Sequence, residues 1–456
     1  MLCAFTGVGA VMTAIEDNGG DNMIKLWLMG QLGLALCTSL AVFAESRSWP
    51  RLHQLLAQAG GLALLTVYYF LLDMDSPAMD TIHLPRYLAL LATAHLLVSV
   101  APYLNRLAVA DFWEYNKQLF ANIVVGAAYT LILFAGLSLA LLAVNELFNL
   151  HIEEKMYAHL FALLAGIFNT AFFLYHFPRS FSFSEGEKAY NVVFKNLCQY
   201  ILIPIVGLYF LILYAYSAKI LVSWNLPQGW VSSLVLGFSV AGIFTYLINY
   251  LLPDHTENKV VHAYRKWFWW VLLPMVGLLF VAIGRRISDY GITENRFYVA
   301  HAGVWLLVMC GYFLWSKTDN IKFIPISLAL FILVAVLGPF SAFNVAQRNQ
   351  TTILHRLLEE NGRFENGKLK PGGTPVTGDA AARIMSGLTY LNRRDALYRV
   401  EPWMPIPLQA LPDSAEFTSV AYRLAAWLKG ETGARPSLEN ILAVYPRYPV
   451  AGGNVA

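Results

Sequence analysis

The residues of this chain that could do chemistry are concentrated in one short stretch, residues 285–298. The stretch holds three arginines and two acids, in a chain of which only 13% is charged. Guanidinium groups bind phosphates and carboxylates, often through two parallel hydrogen bonds. We therefore predict a binding site for an anionic lipid headgroup or solute, formed by Arg285, Arg286, Asp289, Tyr290, Glu294, Arg296 and Tyr298.

Three interpretations of this stretch stay open. In the first, the arginines bind the anion and Asp289 and Glu294 hold them in orientation. In the second, Asp289 or Glu294 is the general base of a membrane-embedded enzyme that acts on a lipid-linked substrate. In the third, the stretch has no ligand: Arg285 and Arg286 snorkel at a helix end, and the two acids neutralise the charge.

The composition sets the class of protein in which this stretch must work. Of the 456 residues, 57% are hydrophobic, and the mean hydropathy is +0.51. These values are far more apolar than those of an ordinary soluble domain, so they exclude a soluble enzyme. A net charge of +3 gives no reason to expect a nucleic-acid partner. We predict a polytopic membrane protein whose main partner is the lipid bilayer.

Apolar segments long enough to cross a bilayer recur along the chain, since a spanning helix needs roughly 20 apolar residues. We predict an all-α bundle of about eleven spans over residues 1–342, followed by a small soluble domain over residues 343–456. The predicted spans are residues 1–15, 26–44, 59–72, 87–104, 121–144, 156–177, 197–216, 231–252, 267–284, 298–315 and 323–342.

The distribution of Lys and Arg predicts the orientation of the spans. Loops that follow even-numbered spans carry 12 of these residues, and loops that follow odd-numbered spans carry 7. Basic loops stay in the cytoplasm, so the even-numbered loops are predicted to be cytoplasmic. Eleven spans then place the C-terminal tail outside the cytoplasm.

The tail from Phe343 onward has the composition of a soluble segment, with 13 basic and 10 acidic residues. A helix is predicted to continue from the last span and to end at Asn361-Gly362. Asn366-Gly367 is typical of a tight β-hairpin turn. Apolar residues at helical spacing predict a further helix through Ile384, Leu388 and Leu391. A protein partner of this tail would make the chain an envelope scaffold or sensor, which is a non-catalytic alternative.

Two spans contain a short internal repeat. Leu202–Phe210 and Leu272–Phe280 are identical at six of nine positions. Both copies contain a proline and a glycine, at Pro204, Gly207, Pro274 and Gly277. Proline frees a backbone carbonyl that can face a transport path, so these helices are predicted to line one. The alternative is that the prolines only bend the helices and the glycines only admit a neighbour.

An aromatic and polar segment, Phe112–Lys117, stands just before the fifth predicted span. Such segments are typical of the aromatic belt at the membrane interface, so we predict an interfacial position for Trp113, Glu114, Asn116 and Lys117. A second possibility is that Asn116 and Lys117 bind a lipid headgroup.

The chain shows no pattern typical of a metal or cofactor site. Its ten histidines include no HExxH spacing, and its four cysteines include no CxxC pair. We predict no metal and no cofactor, and the residues favour a binding or transport protein over an enzyme.

Two motifs resemble a family of bacterial multi-pass membrane proteins known as domain of unknown function 4153. The first is Tyr290–Tyr298, which follows a span that contains proline; the second is Phe112–Asn116, before a span containing Phe134-Ala135-Gly136. The resemblance covers residues 25–342. It implies a location in the bacterial inner membrane and no particular activity.

Overall fold

A computed structural model describes residues 1–16, 20–104, 108–183, 192–223, 230–251, 258–316, 319–372, 376, 378–411 and 420–429. Within these ranges the chain is helical apart from one two-stranded hairpin and short connections. The helices of the apolar part are α1 Leu2–Ile15, α2 Gly20–Ser46, α3 Arg51–Leu71, α4 Leu84–Val100, α5 Val109–Phe148, α6 Lys155–Leu163, α7 Asn169–Tyr175, α8 Val192–Asn196, α9 Ile203–Ser223, α10 Trp230–Ile248, α11 Lys259–Tyr290, α12 Glu294–Trp315 and α13 Phe323–Val336.

The all-α polytopic fold predicted from the sequence is confirmed. In the described residues, eight helical stretches are long and apolar enough to cross a membrane, and α1, α13 and the 232–248 part of α10 are shorter apolar helices. Each predicted span coincides with one of these eleven stretches. The number that crosses the bilayer stays a prediction, because length and composition alone do not decide it for the short ones.

Several of these helices expose apolar side chains over much of their length. On α5, Leu131, Ile132, Leu139 and Leu147 are each at least 60% exposed. Exposed apolar side chains along a helix of this length are typical of a segment in contact with a membrane, because such an area is costly to expose to water. The apolar residues of α5 therefore face lipid, although its first turns are buried in the protein.

The chain divides into two compact units. The first, called the membrane unit here, comprises Met1–Met74, Tyr87–Gly284 and Val299–Ala335. Its core is rich in aromatic side chains, and Trp269 of α11 stacks on Phe313 of α12 with ring centroids 4.5 Å apart.

The second unit, called the tail unit, comprises Asp75–Arg86, Arg285–Tyr298 and Val336–Ala456. Its elements within the tail are α14 Ala342–Glu360, β1 Phe364–Glu365, β2 Lys368–Leu369, α15 Gly378–Asn392 and α16 Val420–Lys429. Helices α14, α15 and α16 share one apolar core, to which they contribute Leu354, Leu358, Leu388, Leu391 and Leu424. The predicted apolar face of α15 is confirmed, because Ile384, Leu388 and Leu391 are all buried.

The predicted hairpin is also confirmed. Phe364 pairs with Leu369 and Glu365 with Lys368 in an antiparallel ladder. Asn366 and Gly367 between them have φ angles of 50° and 76°. Two consecutive positive φ angles are what a type I′ turn needs, and Asn-Gly adopts them at low cost.

Two membrane-side loops and the tail thus meet in one unit. By the predicted spans, the loops at Asp75–Arg86 and Arg285–Tyr298 follow the third and ninth spans, and the tail follows the eleventh. Even numbers of predicted spans separate all three, so the predicted topology puts them on the same side of the membrane, in agreement with their membership of one unit. Which side this is stays a prediction.

A glycine in the turn between α11 and α12 provides a test of this packing. Gly291 has a φ of +74°, and a Cβ added there would collide with the side chains of Ile353 and Asn349 on α14. We expect Gly291→Ala to lower the free energy of unfolding by about 1–3 kcal/mol, because both the backbone and the contact are strained.

The matched control is Gly284→Ala on α11, where an added Cβ has no described atom within 4 Å. This control is expected to be neutral or slightly stabilising, because alanine favours a helix over glycine. Thermal unfolding of the purified protein in detergent compares the two. Equal melting temperatures for both variants would contradict the packing of the turn on α14.

Candidate functional site

The arginine-rich stretch forms the end of α11, the turn at residues 291–293 and the start of α12, and its turn is held by α14. The amide of Ile292 donates to Asn349 Oδ1 at 2.6 Å, and Gln350 Nε2 donates to the carbonyl of Ile292 at 3.0 Å. Side chains of α14 thereby satisfy the backbone groups that a turn between two helices leaves open. The conformation of the stretch depends on the tail.

Glu294, the first residue of α12, is bound by the end of α15. Arg394 donates from Nε to Oε1 at 2.6 Å and from Nη2 to Oε2 at 2.9 Å. The Tyr390 hydroxyl also donates to Oε1, at 2.7 Å. Glu294 is 6% exposed, so its charge needs this partner. Its carboxylate is engaged by the tail and not by an arginine of its own stretch.

Tyr390 also supports the arginine in this cluster. The Arg394 guanidinium lies 3.7 Å from the centroid of the Tyr390 ring, a cation–π contact, and Nη1 donates to the Tyr390 carbonyl at 3.2 Å. Burial, with the Glu294 carboxylate nearby, raises the pKa of Tyr390 well above its usual range. The phenol therefore keeps its proton and remains a donor.

The three arginines of the stretch have different surroundings. Arg296 donates to the carbonyls of Gly291 at 2.8 Å and Tyr290 at 3.2 Å, so it closes the turn. The Arg285 side chain is 63% exposed and lies 4.0 Å from Asp289, a distance at which an exposed pair contributes little. Arg286 has no ion pair within the part of the chain that the structure describes. Arg285 and Arg286 are thus the two that could meet a ligand.

The two tyrosines predicted for this site also differ. Tyr290 is 59% exposed, and its ring lies 5.4 Å from the Arg296 guanidinium. The Tyr298 hydroxyl is buried, and it has no hydrogen-bond partner among the described residues. Asp289 is exposed at the end of α11. The structure therefore brings the seven predicted residues into one unit but spreads them over an exposed face and a buried one.

The segment Phe112–Lys117 lies in the first turns of α5 and is buried in the membrane unit. Phe112, Trp113, Glu114 and Tyr115 are each at most 6% exposed. The Trp113 indole donates to the carbonyl of Leu247 on α10 at 2.7 Å. These residues pack against protein within the membrane unit, and their interfacial position stays a prediction.

A buried ion pair lies at the centre of this segment. Lys117 Nζ is 2.6 Å from Glu114 Oε2, with side-chain exposures of 13% and 3%. Gln118 donates to the other carboxylate oxygen of Glu114 at 3.0 Å. The ammonium also lies 5.1 Å from the Trp113 ring centroid. The pair stands at i and i+3 on one helix face, which keeps both charges compensated.

Asn116 fixes the neighbouring helix. Its Oδ1 accepts from the Ser99 hydroxyl at 2.5 Å, and its Nδ2 donates to the carbonyls of Phe112 at 2.8 Å and Ser99 at 3.3 Å. The amide is therefore occupied by contacts between α4 and α5. The 2.6 Å contact of Lys117 with Glu114 Oε2 is an ion pair without hydrogen-bond geometry, so the N–H donors of the ammonium stay available.

A cavity of about 490 Å³ opens beside this ion pair within the membrane unit. Side chains of α4, α5, α10, α12 and α13 and of the turn before α13 line it, and most are apolar, among them Leu96, Phe120, Ile243, Trp305 and Leu328. The polar lining residues are Ser99, Asn116, Lys117 and Ser239, and Lys117 is the charged one. Its volume is in the range of small-molecule sites, about 300–1,000 Å³.

The repeated prolines lie elsewhere in the membrane unit. Pro274 is inside α11, and the Tyr214 hydroxyl of α9 donates to the Val271 carbonyl, one turn before it, at 2.8 Å. Pro204 follows a π-helical turn at Leu197–Leu202, a local widening that accommodates the missing amide. A carbonyl near the Pro274 kink is therefore satisfied by the protein.

The repeated glycines have open surroundings. A Cβ added at Gly207 or Gly277 would meet no described atom within 4 Å. Neither glycine admits a close neighbour among the described residues, and none of the four repeat residues lines the 490 Å³ cavity. Their role along a transport path stays a prediction.

Over the described ranges, no group of three or more His, Cys, Asp or Glu side chains is placed to hold a metal ion.

Sequence reasoning missed the partners of the predicted residues. Tyr390 and Arg394 are 96 and 100 residues from Glu294, and no local pattern connects them. The sequence feature that could have indicated a partner for Glu294 is the pair of adjacent arginines at 393 and 394, in a tail of otherwise mixed charge.

Comparison with known proteins adds a family and a relative. The family profile described as domain of unknown function (DUF4153) matches residues 3–370. The uncharacterized protein PM1469 of Pasteurella multocida (strain Pm70) is 29% identical over 314 residues, which is 67% of this chain and 50% of that protein. The chain thus spans about half the length of this curated relative. No solved structure matches this chain.

The buried pair at Glu294 can be tested against an exposed acid of the same stretch. Glu294→Gln leaves Arg394 without its counter-charge, and we expect it to destabilise the tail unit by about 3 kcal/mol or more. Asp289→Asn is the matched control, and its expected effect is below about 1 kcal/mol because Asp289 is exposed. Protease sensitivity of the tail, together with thermal unfolding, measures both variants. A Glu294→Gln protein as resistant as Asp289→Asn would contradict the pairing with Arg394.

Proposed function

Given that this chain belongs to the DUF4153 family, we propose that it is a multi-pass membrane protein that binds an amphiphilic molecule, an anionic lipid or a lipid-linked anion, in the cavity of its membrane unit. The apolar chain of the ligand occupies the cavity, and its headgroup meets Lys117.

The observation that carries this proposal is the chemical asymmetry of the cavity. Its walls are apolar side chains from five helices, whereas its charged lining residue is the Lys117 ammonium beside Asn116 and Ser99. Apolar walls with a few convergent polar groups are typical of sites for small molecules and cofactors. A ligand that matches these walls has a long apolar part and one polar end.

The ion pair defines the headgroup that fits. Glu114 compensates the charge of Lys117, and the N–H donors of the ammonium can meet a phosphate or carboxylate oxygen. Asn116 and Ser99 are hydrogen-bonded to each other, which fixes this polar part of the cavity wall. Lys117 is therefore the main donor for a ligand. Rigid surroundings reduce the entropy lost on binding.

The contacts of the stretch at residues 285–298 decide between its possible roles. A second candidate function is the binding of an anionic headgroup or solute by Arg285 and Arg286, favoured by the absence of an ion pair at Arg286 among the described residues. A general base at Glu294 is disfavoured, because Arg394 and Tyr390 occupy its carboxylate. A protein partner of the tail, transport, and an inner-membrane location with the tail outside the cytoplasm stay predictions.

Filling the cavity tests the proposed function. Ala302 of α12 lines the cavity, and Ala300, two residues earlier on the same helix, does not. We expect Ala302→Phe to reduce the amount of co-purifying lipid about tenfold, because the added ring occupies volume that the ligand would fill; a tenfold loss corresponds to about 1.4 kcal/mol of binding free energy. Native mass spectrometry of the protein released from its own membrane measures the bound lipid.

Ala300→Phe is the control for the added bulk and should keep the lipid of the wild type. Thermal unfolding confirms that both variants are folded. The proposal fails if the wild type carries no specific lipid, or if a folded Ala302→Phe protein carries as much as Ala300→Phe.

A further inference from the structure

We infer that the tail unit contains a separate oxyanion site, formed by the Arg86 guanidinium and the Tyr298 hydroxyl, whose side chains both lie beside Phe343. The ligand is a phosphate group with a net negative charge, which either an anionic lipid headgroup or free phosphate could supply. This site does not depend on the proposed cavity ligand, since all three residues belong to the tail unit.

Arg86 is a half-buried residue whose guanidinium has an unsatisfied donor. Its Nε is buried, and it has no hydrogen-bond acceptor among the described residues. No described carboxylate forms an ion pair with it. Its guanidinium carbon lies 5.2 Å from the centroid of the Phe343 ring, which orients the group without neutralising its charge. A half-buried guanidinium whose buried nitrogen has no acceptor leaves a donor open to a ligand.

The Tyr298 hydroxyl is a second buried donor without an acceptor among the described residues. The ring of Tyr298 meets the Phe343 ring edge to face, at a centroid distance of 6.5 Å. The charged groups that act on this hydroxyl are Arg86 and Glu294. Two unsatisfied donors that share one aromatic neighbour need an explanation, because buried polar groups are nearly always hydrogen-bonded.

The acid that could satisfy these donors is already bound. Glu294 acts on Tyr298, but both its oxygens accept from Arg394, and one also accepts from Tyr390. The donors at Arg86 and Tyr298 therefore stay open to an acceptor from outside the chain. One cation and one hydroxyl suit an acceptor that carries negative charge and several oxygens, which is the chemistry of a phosphate.

The position of the site suits a headgroup at the membrane surface. Arg86 stands in the first turn of α4 and Tyr298 in the second turn of α12, and both helices are candidate spans. Phe343 is the second residue of α14, which leads into the soluble tail. Two span ends and the first helix of the tail thus contribute to one site.

The experiment uses the full chain in nanodiscs and two substitutions. Thermal unfolding is recorded in phosphatidylcholine alone, in phosphatidylcholine with phosphatidylglycerol, and in phosphatidylcholine with added inorganic phosphate. We expect one or both anions to raise the melting temperature of the wild type in a saturable manner. Arg86→Gln and Tyr298→Phe should each weaken this binding about tenfold or more, because each variant loses a hydrogen bond to a charged group.

Tyr298→Phe also separates a site from a packing role. Its hydroxyl has no protein partner in the described residues, so without an anion this variant should melt at or above the wild-type temperature. Arg356→Gln on α14 is the matched control for the loss of one arginine in the same unit, since its side chain is 64% exposed and belongs to no proposed site, and it should leave the anion effect unchanged.

The outcomes assign the source of the phosphate or reject the site. An effect of phosphatidylglycerol alone identifies a lipid headgroup, and an effect of inorganic phosphate as well identifies a site open to the free anion. The inference is overturned if neither anion stabilises the wild type, if both variants respond as the wild type does, or if Arg356→Gln weakens the response as much as Arg86→Gln does.

Discussion

A buried carboxylate must have a partner within the protein, and this constraint organises each of the two units. Glu294 and Glu114 are 6% and 2% exposed, and each is paired at 2.6 Å with a basic side chain. Either one alone would cost several kcal/mol, so the partner decides which elements must meet. Glu294 needs Arg394, which requires a folded tail. Glu114 needs Lys117, which fixes the first turns of α5.

The same constraint separates structural charges from available ones. In the stretch at residues 285–298, Glu294 and Arg296 are used to hold the turn between α11 and α12. Arg285 and Arg286 have no such task. The pattern that looks like one arginine-rich site in the sequence is therefore a turn that docks on the tail, with two basic residues left beside it. In the membrane unit, the ion pair of α5 leaves a charge available to a ligand, because Lys117 lies at the edge of an apolar cavity.

The architecture could be predicted from the sequence because it depends on local patterns. Runs of apolar residues predict the helices of the membrane unit, and Asn366-Gly367 predicts the hairpin, since both follow from residue type and short spacing. The burial of Phe112–Lys117 could not be predicted, because an aromatic segment before a span has the same composition whether it faces lipid or packs on α10. The pairing of Glu294 with Arg394 was equally hidden, since it joins residues 100 positions apart through the tertiary fold.

The central claim is that the cavity beside Lys117 holds an amphiphile. The most direct measurement is an electron cryomicroscopy map of the full chain, taken from its own membrane into nanodiscs without delipidation. The account predicts elongated non-protein density along the apolar walls between α5 and α10, with its polar end within hydrogen-bond distance of Lys117 Nζ. A well-resolved map in which the cavity is empty, or is closed by the side chains of α10 and α12, would contradict it.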